Sequence, residues 1–172
     1  GGDPPTDSNR YAEGETVDVQ GSNTLTKTGY TFDEWNTEAD GSGIPRGAGS
    51  QFSMPAENVT LYAQWSVASF TVSYNGNDYD GGSVPAGGNY DYNETVTVAN
   101  QGSMSRTGYT FTGWNTASNG SGTGYSGGDT FSMPADNVTL YAQWEGNPHI
   151  ITYDENGAYG GTIPSSQNVI YG

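Results

Sequence analysis

The sequence GYTFDEWNT (residues 29–37), followed by FSMPAENVTLYAQW (52–65), decides the fold because it occurs twice. The second copy reads GYTFTGWNT (108–116) and FSMPADNVTLYAQW (131–144). Both of its parts lie 79 residues after the first copy, from 29 to 108 and from 52 to 131. This period exceeds the roughly 20–50 residues of a solenoid repeat. Each copy is therefore large enough to hold its own small core, and the sequence predicts beads on a string.

The end of each copy carries the clearest strand pattern in the chain. In NVTLYAQW (58–65), the apolar Val59, Leu61, Ala63 and Trp65 alternate with Thr60, Tyr62 and Gln64. Strict alternation predicts a β-strand with one face on the core. We expect the apolar residues of this strand, from Val59 to Trp65, to face the core.

The start of each copy predicts an interrupted strand. Tyr30, Phe32 and Trp35 do not share one face of a period-two pattern, which predicts a bulge or strand end near Asp33–Glu34. The glycine-rich segments 38–50 and 117–129 are predicted loops. No segment shows ten or more residues at helical apolar spacing. The fold class is therefore mainly β, α+β at most, with any helix limited to a turn or two.

The repeat also predicts the domain boundaries. The opening strand FTVSY (70–74) has its counterpart 79 residues later in the segment that contains IITY (150–153). We expect a first repeat lacking its opening strand, a linker, a complete repeat, and the opening strand and turn of a third repeat, over residues 1–65, 66–69, 70–144 and 145–172 respectively. Because the chain begins inside a repeat, we expect it to be a piece of a longer protein.

The strand near Ile150–Tyr153 has no partner repeat of its own, which leaves two interpretations open. It could complete the vacant edge of a first repeat in another molecule, giving head-to-tail self-association by strand addition. Alternatively, both ends reflect a cut through a longer array.

Composition excludes several classes of function. The chain has 19 acidic and 4 basic residues and a net charge of −15, so it lacks the basic clusters that bind nucleic acid or anionic membranes. It has no cysteine, so thiol chemistry and disulfides are absent. No apolar run approaches the roughly 20 residues of a membrane-spanning helix, and we expect no direct membrane insertion.

The residues that could carry chemistry do not form a site. Asn77–Gly81 is acidic like a calcium loop but lacks the first ligand and the bidentate Glu. His149 is the single histidine, and Asp33-Glu34 is replaced in the second copy by Thr112-Gly113. The sequence therefore predicts no catalytic residue, no cofactor and no metal.

The recurring aromatic residues have a structural and a functional interpretation. They could stack on sugar rings, or they could build the core of a unit that has few Leu and Ile. We expect a core role for Trp65 and Trp144. Tyr62 and Tyr141 alternate with the residues that we expect to face the core, so their side chains lie on the other face of the strand. They are the candidate residues for contact with a ligand.

The long motif shared by both copies resembles the Listeria–Bacteroides repeat, the family of the internalin B-repeats. The resemblance covers nearly the whole chain. It implies a ubiquitin-like β-grasp fold in an extracellular protein at the bacterial cell surface, with no catalytic residues. The function implied is a non-enzymatic tandem-repeat spacer or stalk in adhesion. The alternative is an adhesion module that binds a host protein or glycan through exposed aromatic residues.

Overall fold

A computed structural model describes residues 1–157 and 159–170. The described chain contains fourteen β-strands and no helix. The strands are β1 (Thr16–Asp18), β2 (Tyr30–Asn36), β3 (Pro45–Arg46), β4 (Gln51–Ser53), β5 (Tyr62–Val67), β6 (Ser69–Asn75), β7 (Gly88–Asp91), β8 (Thr95–Thr97), β9 (Tyr109–Asn115), β10 (Gly124–Tyr125), β11 (Thr130–Ser132), β12 (Val138–Gly146), β13 (Pro148–Ile151) and β14 (Gln167–Ile170). The prediction of a mainly β chain is confirmed.

The chain forms two compact units. The first contains Gly1–Phe70 together with the short segments Asp91–Glu94 and Met133–Asp136. The second contains Thr71–Tyr90, Thr95–Ser132 and Asn137–Gly172. Only Ala68 separates β5 from β6.

A five-stranded mixed sheet in the order β10-β9-β12-β6-β7 organises the second unit. β6 and β12 run parallel at its centre, with Val72 opposite Val138 and Tyr74 opposite Leu140. β12 pairs antiparallel with β9 on its other side, with a register shift between Gln143 and Trp144. β12 is therefore hydrogen-bonded along both edges.

A two-stranded ribbon completes the core of the second unit. β8 and β11 pair antiparallel, with Val96 opposite Phe131. The Phe131 ring lies 5.2 Å from the ring of Tyr125 on β10, so the ribbon touches the sheet. The buried apolar side chains of the second unit are Val72, Val96, Val98, Met104, Trp114, Leu140 and Ala142.

The first unit repeats this plan with a smaller sheet. Its three strands have the order β3-β2-β5, and β1 pairs with β4 in the equivalent ribbon. A register shift between Phe32 and Trp35 confirms the predicted irregularity near Asp33–Glu34. The Arg46 guanidinium lies 4.7 Å from the Phe52 ring, where the second unit places Tyr125 on Phe131.

The closing strand differs between the two copies. β12 has nine residues, whereas β5 has six. Val59–Leu61 corresponds to the first three residues of β12 but lies outside any strand. Within the described residues, β5 has a neighbour on one edge only, namely β2.

β13 and β14 form a separate antiparallel hairpin. Pro148 lies opposite Ile170, and His149, the single histidine of the chain, lies opposite Val169. The strand expected at 150–153 begins and ends two residues earlier, at Pro148–Ile151. All eight residues of the two strands are exposed.

Candidate functional site

The two tyrosines proposed as ligand contacts occupy equivalent positions in separate units. Tyr62 begins β5 opposite Asn36 and is 42% exposed. Tyr141 lies on β12 opposite Asn115 and, on the other edge, opposite Asn75 of β6. Tyr141 is half-buried, so the position is more accessible in the first unit.

A buried asparagine beside each tyrosine holds the adjoining glycine-rich loop. Asn115 is 6% exposed. Its Oδ1 accepts from the amides of Ala117 (2.9 Å) and Gly122 (3.0 Å). Its Nδ2 donates to the carbonyls of Gly120 (3.2 Å) and Gly122 (3.3 Å). This side chain replaces the backbone partners that a short loop cannot supply.

The first unit uses the same arrangement. Asn36 is 2% exposed, and its Oδ1 accepts from the Glu38 amide at 3.0 Å. Its Nδ2 donates to the Gly41 carbonyl at 3.2 Å. The sequence reasoning missed this role, although Asn follows Trp in both copies and directly precedes the loop.

Glutamine on the closing strand supports the same loop. Gln143 Nε2 donates to the Ala117 carbonyl of the loop at 3.5 Å, and to the Tyr141 and Ala142 carbonyls of its own strand, both at 3.1 Å. Gly120 has φ +78°, and a Cβ there would lie 2.9 Å from Gln143 Oε1. The left-handed backbone therefore favours glycine at this position, whereas the end of the flexible Gln143 side chain can move aside.

The four tryptophan side chains differ in how deeply they are buried. Trp114 is 1% exposed, and its Nε1 donates to the Ala99 carbonyl at 2.8 Å. Trp35 is also buried and donates to the Gln20 carbonyl at 2.9 Å. Trp65 and Trp144 are half-buried. The rings of Trp35 and Trp114 are therefore unavailable for stacking on a sugar.

Side chains of the acidic turn Asn77–Gly81 form hydrogen bonds to other parts of the chain. Asn77 Nδ2 donates to the carbonyls of Ser118 and Ala142, at 2.9 and 2.8 Å. The amide of Thr107 donates to Asp80 Oδ2 at 2.7 Å. That bond, reinforced by the nearby Arg106, lowers the pKa of the Asp80 carboxyl.

The other shifted carboxyls also have local causes. Hydrogen bonds from the Ser42 hydroxyl and amide lower the pKa of Asp40, and the Asn9 amide lowers the pKa of Asp7. Within residues 1–157 and 159–170, no group of three or more His, Asp or Glu side chains is placed to hold a metal ion. None of these residues forms a helix with the length and apolarity needed to span a membrane.

A groove of about 460 Å³ lies in the first unit, beside Val59–Leu61. We call it the first-unit groove. Tyr11 and the prolines of the N-terminal segment border it. Its apolar lining comes from Val17, Val19, Trp35, Met54, Val59 and Leu61.

Comparison with known proteins shows several relatives. The chain is 44% identical over 160 residues to a putative Gly-rich membrane protein of Evansella cellulosilytica, covering 91% of this chain and 18% of that protein. A putative membrane protein of the same organism is 51% identical over 92 residues, covering 54% of this chain and 14% of the relative. Internalin H of Listeria monocytogenes is 39% identical over 125 residues, covering 71% and 20% respectively.

The chain thus spans about a fifth or less of the length of these relatives. No solved structure matches it significantly. The model of the Listeria-Bacteroides repeat domain matches residues 1–64 and again residues 70–143. The two matches end 79 residues apart, at 64 and 143, and together they cover most of the sequence, so the chain belongs to the Listeria-Bacteroides repeat family.

Proposed function

We propose that this chain is a non-enzymatic, load-bearing spacer in an extracellular protein of the bacterial cell surface. The observation that carries this proposal is the parallel pairing of β6 and β12. They are the first and last strands of the complete repeat, and tension applied along the chain enters at Ser69 and leaves at Gly146. In a parallel pair these two points lie at opposite ends, so the interstrand hydrogen bonds are loaded together in shear.

The use of the repeated side chains supports the same proposal. Trp114 and Asn115 have the same counterparts in the first copy. Trp114 packs in the core of its own unit, and Asn115 holds a loop of that unit. Residues kept for a ligand would instead be expected to gather on an exposed surface. The relatives named as membrane proteins and as an internalin support a location at the cell surface.

We also propose that each repeat is a β-grasp-like unit without a helix. The support is the mixed sheet, in which the first and last strands are parallel neighbours and each has another strand outside it. The ribbon of β8 and β11 then packs on this sheet in place of a helix.

Lengthening the chain tests the spacer function. One or two additional copies of residues 66–144 are inserted after Trp144, and the maximum dimension is measured by small-angle scattering. A spacer predicts an equal increase with each inserted copy. A maximum dimension that stays constant or falls as copies are added contradicts the proposal.

An adhesion module is the second candidate, because Tyr62 and Ile44 are 42% and 56% exposed in the first unit. The probe is the chain itself, applied to immobilised host glycans and extracellular matrix proteins. Adhesion through this surface predicts retention that Tyr62→Ala weakens at least tenfold and Tyr141→Ala weakens less. If the chain is retained on none of these glycans and matrix proteins, the adhesion function is contradicted.

A further inference from the structure

The first unit includes a turn that comes from the second copy of the repeat. Residues Asp91–Glu94 follow β7 in the sequence but belong to the first compact unit. The Glu94 amide donates to the Asp91 carbonyl at 2.9 Å, and Asn93 between them has φ +66°. The Asp91 amide in turn donates to Glu94 Oε2 at 2.8 Å. These bonds close a tight turn with Tyr92 at its tip.

Tyr92 packs against residues of the first copy, within the same unit. Its ring centroid lies 6.1 Å from that of Tyr30, with 69° between the two planes. This edge-to-face arrangement is a favourable one for two aromatic rings. The Ala68 amide donates to the Gly29 carbonyl at 2.9 Å, and the Tyr92 amide donates to the Ala68 carbonyl at 2.9 Å. We call Gly29, Tyr30 and Ala68 the Tyr92 contact surface.

Gly29 allows the Tyr92 ring to approach the backbone. Gly29 has φ +77°, and a Cβ atom there would lie 2.1 Å from atoms of that ring. Gly49 of the same unit has φ +79°, but a Cβ there would have no atom of the described residues within 4 Å. Both backbone conformations favour glycine. Of the two positions, only Gly29 also makes room for an aromatic ring.

The backbone of the contact surface recurs in the second unit. The Asn147 amide donates to the Gly108 carbonyl at 2.8 Å. Gly108 has φ +78°, and Tyr109 follows it. These residues are the counterparts, 79 positions later, of Ala68, Gly29 and Tyr30. The repeat therefore builds this backbone arrangement in both copies.

The turn also forms in the first copy, with a different residue at its tip. Glu13 lies 79 positions before Tyr92. The Glu15 amide donates to the Ala12 carbonyl at 3.1 Å, and the Ala12 amide donates to Glu15 Oε2 at 2.7 Å. Because this turn forms with a glutamate at its tip, the Tyr92 ring is not needed to form the turn. The ring is free to serve the contact alone.

We propose that the Tyr92 contact surface is an interaction surface for the aromatic residue that the following copy of the repeat carries on this turn. Tandem repeats are commonly stabilised by contributions from the neighbouring repeat. Here the second copy supplies a residue on which the stability of the first unit depends. This dependence goes beyond the spacer function and holds whether or not the chain is a spacer.

Hydrogen exchange of the intact chain, followed by mass spectrometry, tests the proposal because it reports the stability of each strand separately. Tyr92→Ala is expected to speed the exchange of the β2 and β5 amides at least tenfold. The β9 and β12 amides of the second unit are expected to keep their wild-type rates. Unchanged rates in β2 and β5, or an equal acceleration in all four strands, overturns the proposal.

Three further variants separate the ring from the turn. Tyr92→Phe keeps the ring and is expected to exchange like the wild type. Tyr92→Glu introduces the residue that the first copy has in the same turn, and is expected to speed β2 and β5 as much as Tyr92→Ala does. Tyr79→Ala is the control, because Tyr79 is a tyrosine of the second unit that is 40% exposed. It is expected to leave β2 and β5 unchanged, and an acceleration as large as that of Tyr92→Ala would contradict the proposal.

The two glycines provide the matched comparison. Gly29→Ala and Gly49→Ala each place a Cβ on a left-handed backbone, but only Gly29→Ala displaces the Tyr92 ring. Gly29→Ala is therefore expected to speed β2 and β5 exchange more than Gly49→Ala. Gly29→Ala combined with Tyr92→Ala is expected to give less than the product of the two separate accelerations, because both changes remove the same contact. An acceleration equal to the full product would show that the two residues act independently and would refute the proposal.

Discussion

At the residue scale, the buried asparagines are the most consequential finding. Asn36 and Asn115 are polar yet 2% and 6% exposed. A buried amide is stable only if its donors and acceptors are satisfied. Here the satisfied partners are backbone groups of the adjoining loop, so one side chain fixes both a core position and a loop conformation.

Asn115→Ala is therefore expected to destabilise the second unit by about 2 kcal/mol, because it removes the hydrogen bonds from a buried side chain to the backbone of Ala117, Gly120 and Gly122. Urea unfolding followed by tryptophan fluorescence measures the change. Asn119→Ala is the control: Asn119 is exposed and accepts hydrogen bonds from the exposed Ser121, and its replacement is expected to change stability by less than about 0.5 kcal/mol. Equal effects of the two variants would contradict the role given to Asn115.

Asp80 gives a pH-dependent prediction at the same scale. The Thr107 amide lowers its pKa in the folded chain, so its ionised form stabilises the fold. That contribution is complete above the unfolded pKa of about 4 and is lost as the pH falls through the lower folded value. Asp80→Asn is expected to lower the urea midpoint at pH 7 and to flatten its decline in acid. An unchanged acid profile in the variant would exclude this contribution.

The closing strand shows which buried residues could be predicted from the sequence. Alternation correctly placed Leu140 and Ala142 in the core, where both are 0% exposed. The same pattern assigned Trp144 to the core, but it is half-buried. The register shift beside Gln143 and Trp144 passes over Thr112, so the extra residue lies on β9 and the alternation of β12 is not interrupted. Alternation therefore identifies the face on which Trp144 lies but not how completely other elements cover that face.

At the element scale, the two closing strands have nearly the same sequence but different neighbours in their sheets. Leu140 and Leu61 occur in nearly identical motifs. Leu140 lies beside a parallel strand, whereas no strand in the described part of the chain lies parallel to the segment that contains Leu61. Leu140→Ala is expected to cost about 3 kcal/mol and Leu61→Ala about 1 kcal/mol, because the latter is only half-buried. Urea unfolding of both variants measures the difference, and equal costs would contradict it.

The parallel pairing itself could not be predicted from the sequence. It joins Ser73 to Thr139 and Tyr74 to Leu140, residues far apart along the chain. Periodicity identifies each strand and its buried face but does not say which strands become neighbours. The bulge in β2, in contrast, was predictable because Tyr30, Phe32 and Trp35 break the alternation within one short stretch.

At the scale of the whole molecule, the repeat explains both the fold and the proposed function. The 79-residue period predicted two related units from the sequence alone, and the family match supports it. Tyr62 and Tyr141, the candidate ligand contacts, remain predictions, because their exposure differs and no ligand has been identified. A spacer needs neither tyrosine, but it must stay folded under tension.

Stretching single molecules by their two ends tests that requirement most directly. We expect separate unfolding events for the two units, with the second unit requiring the higher force. β6 and β12 resist in shear, whereas β5 has no parallel neighbour among the residues that the structure describes. The two units thus serve as controls for each other within one molecule. Smooth extension of the chain without an unfolding event would contradict the account of this protein as a load-bearing spacer.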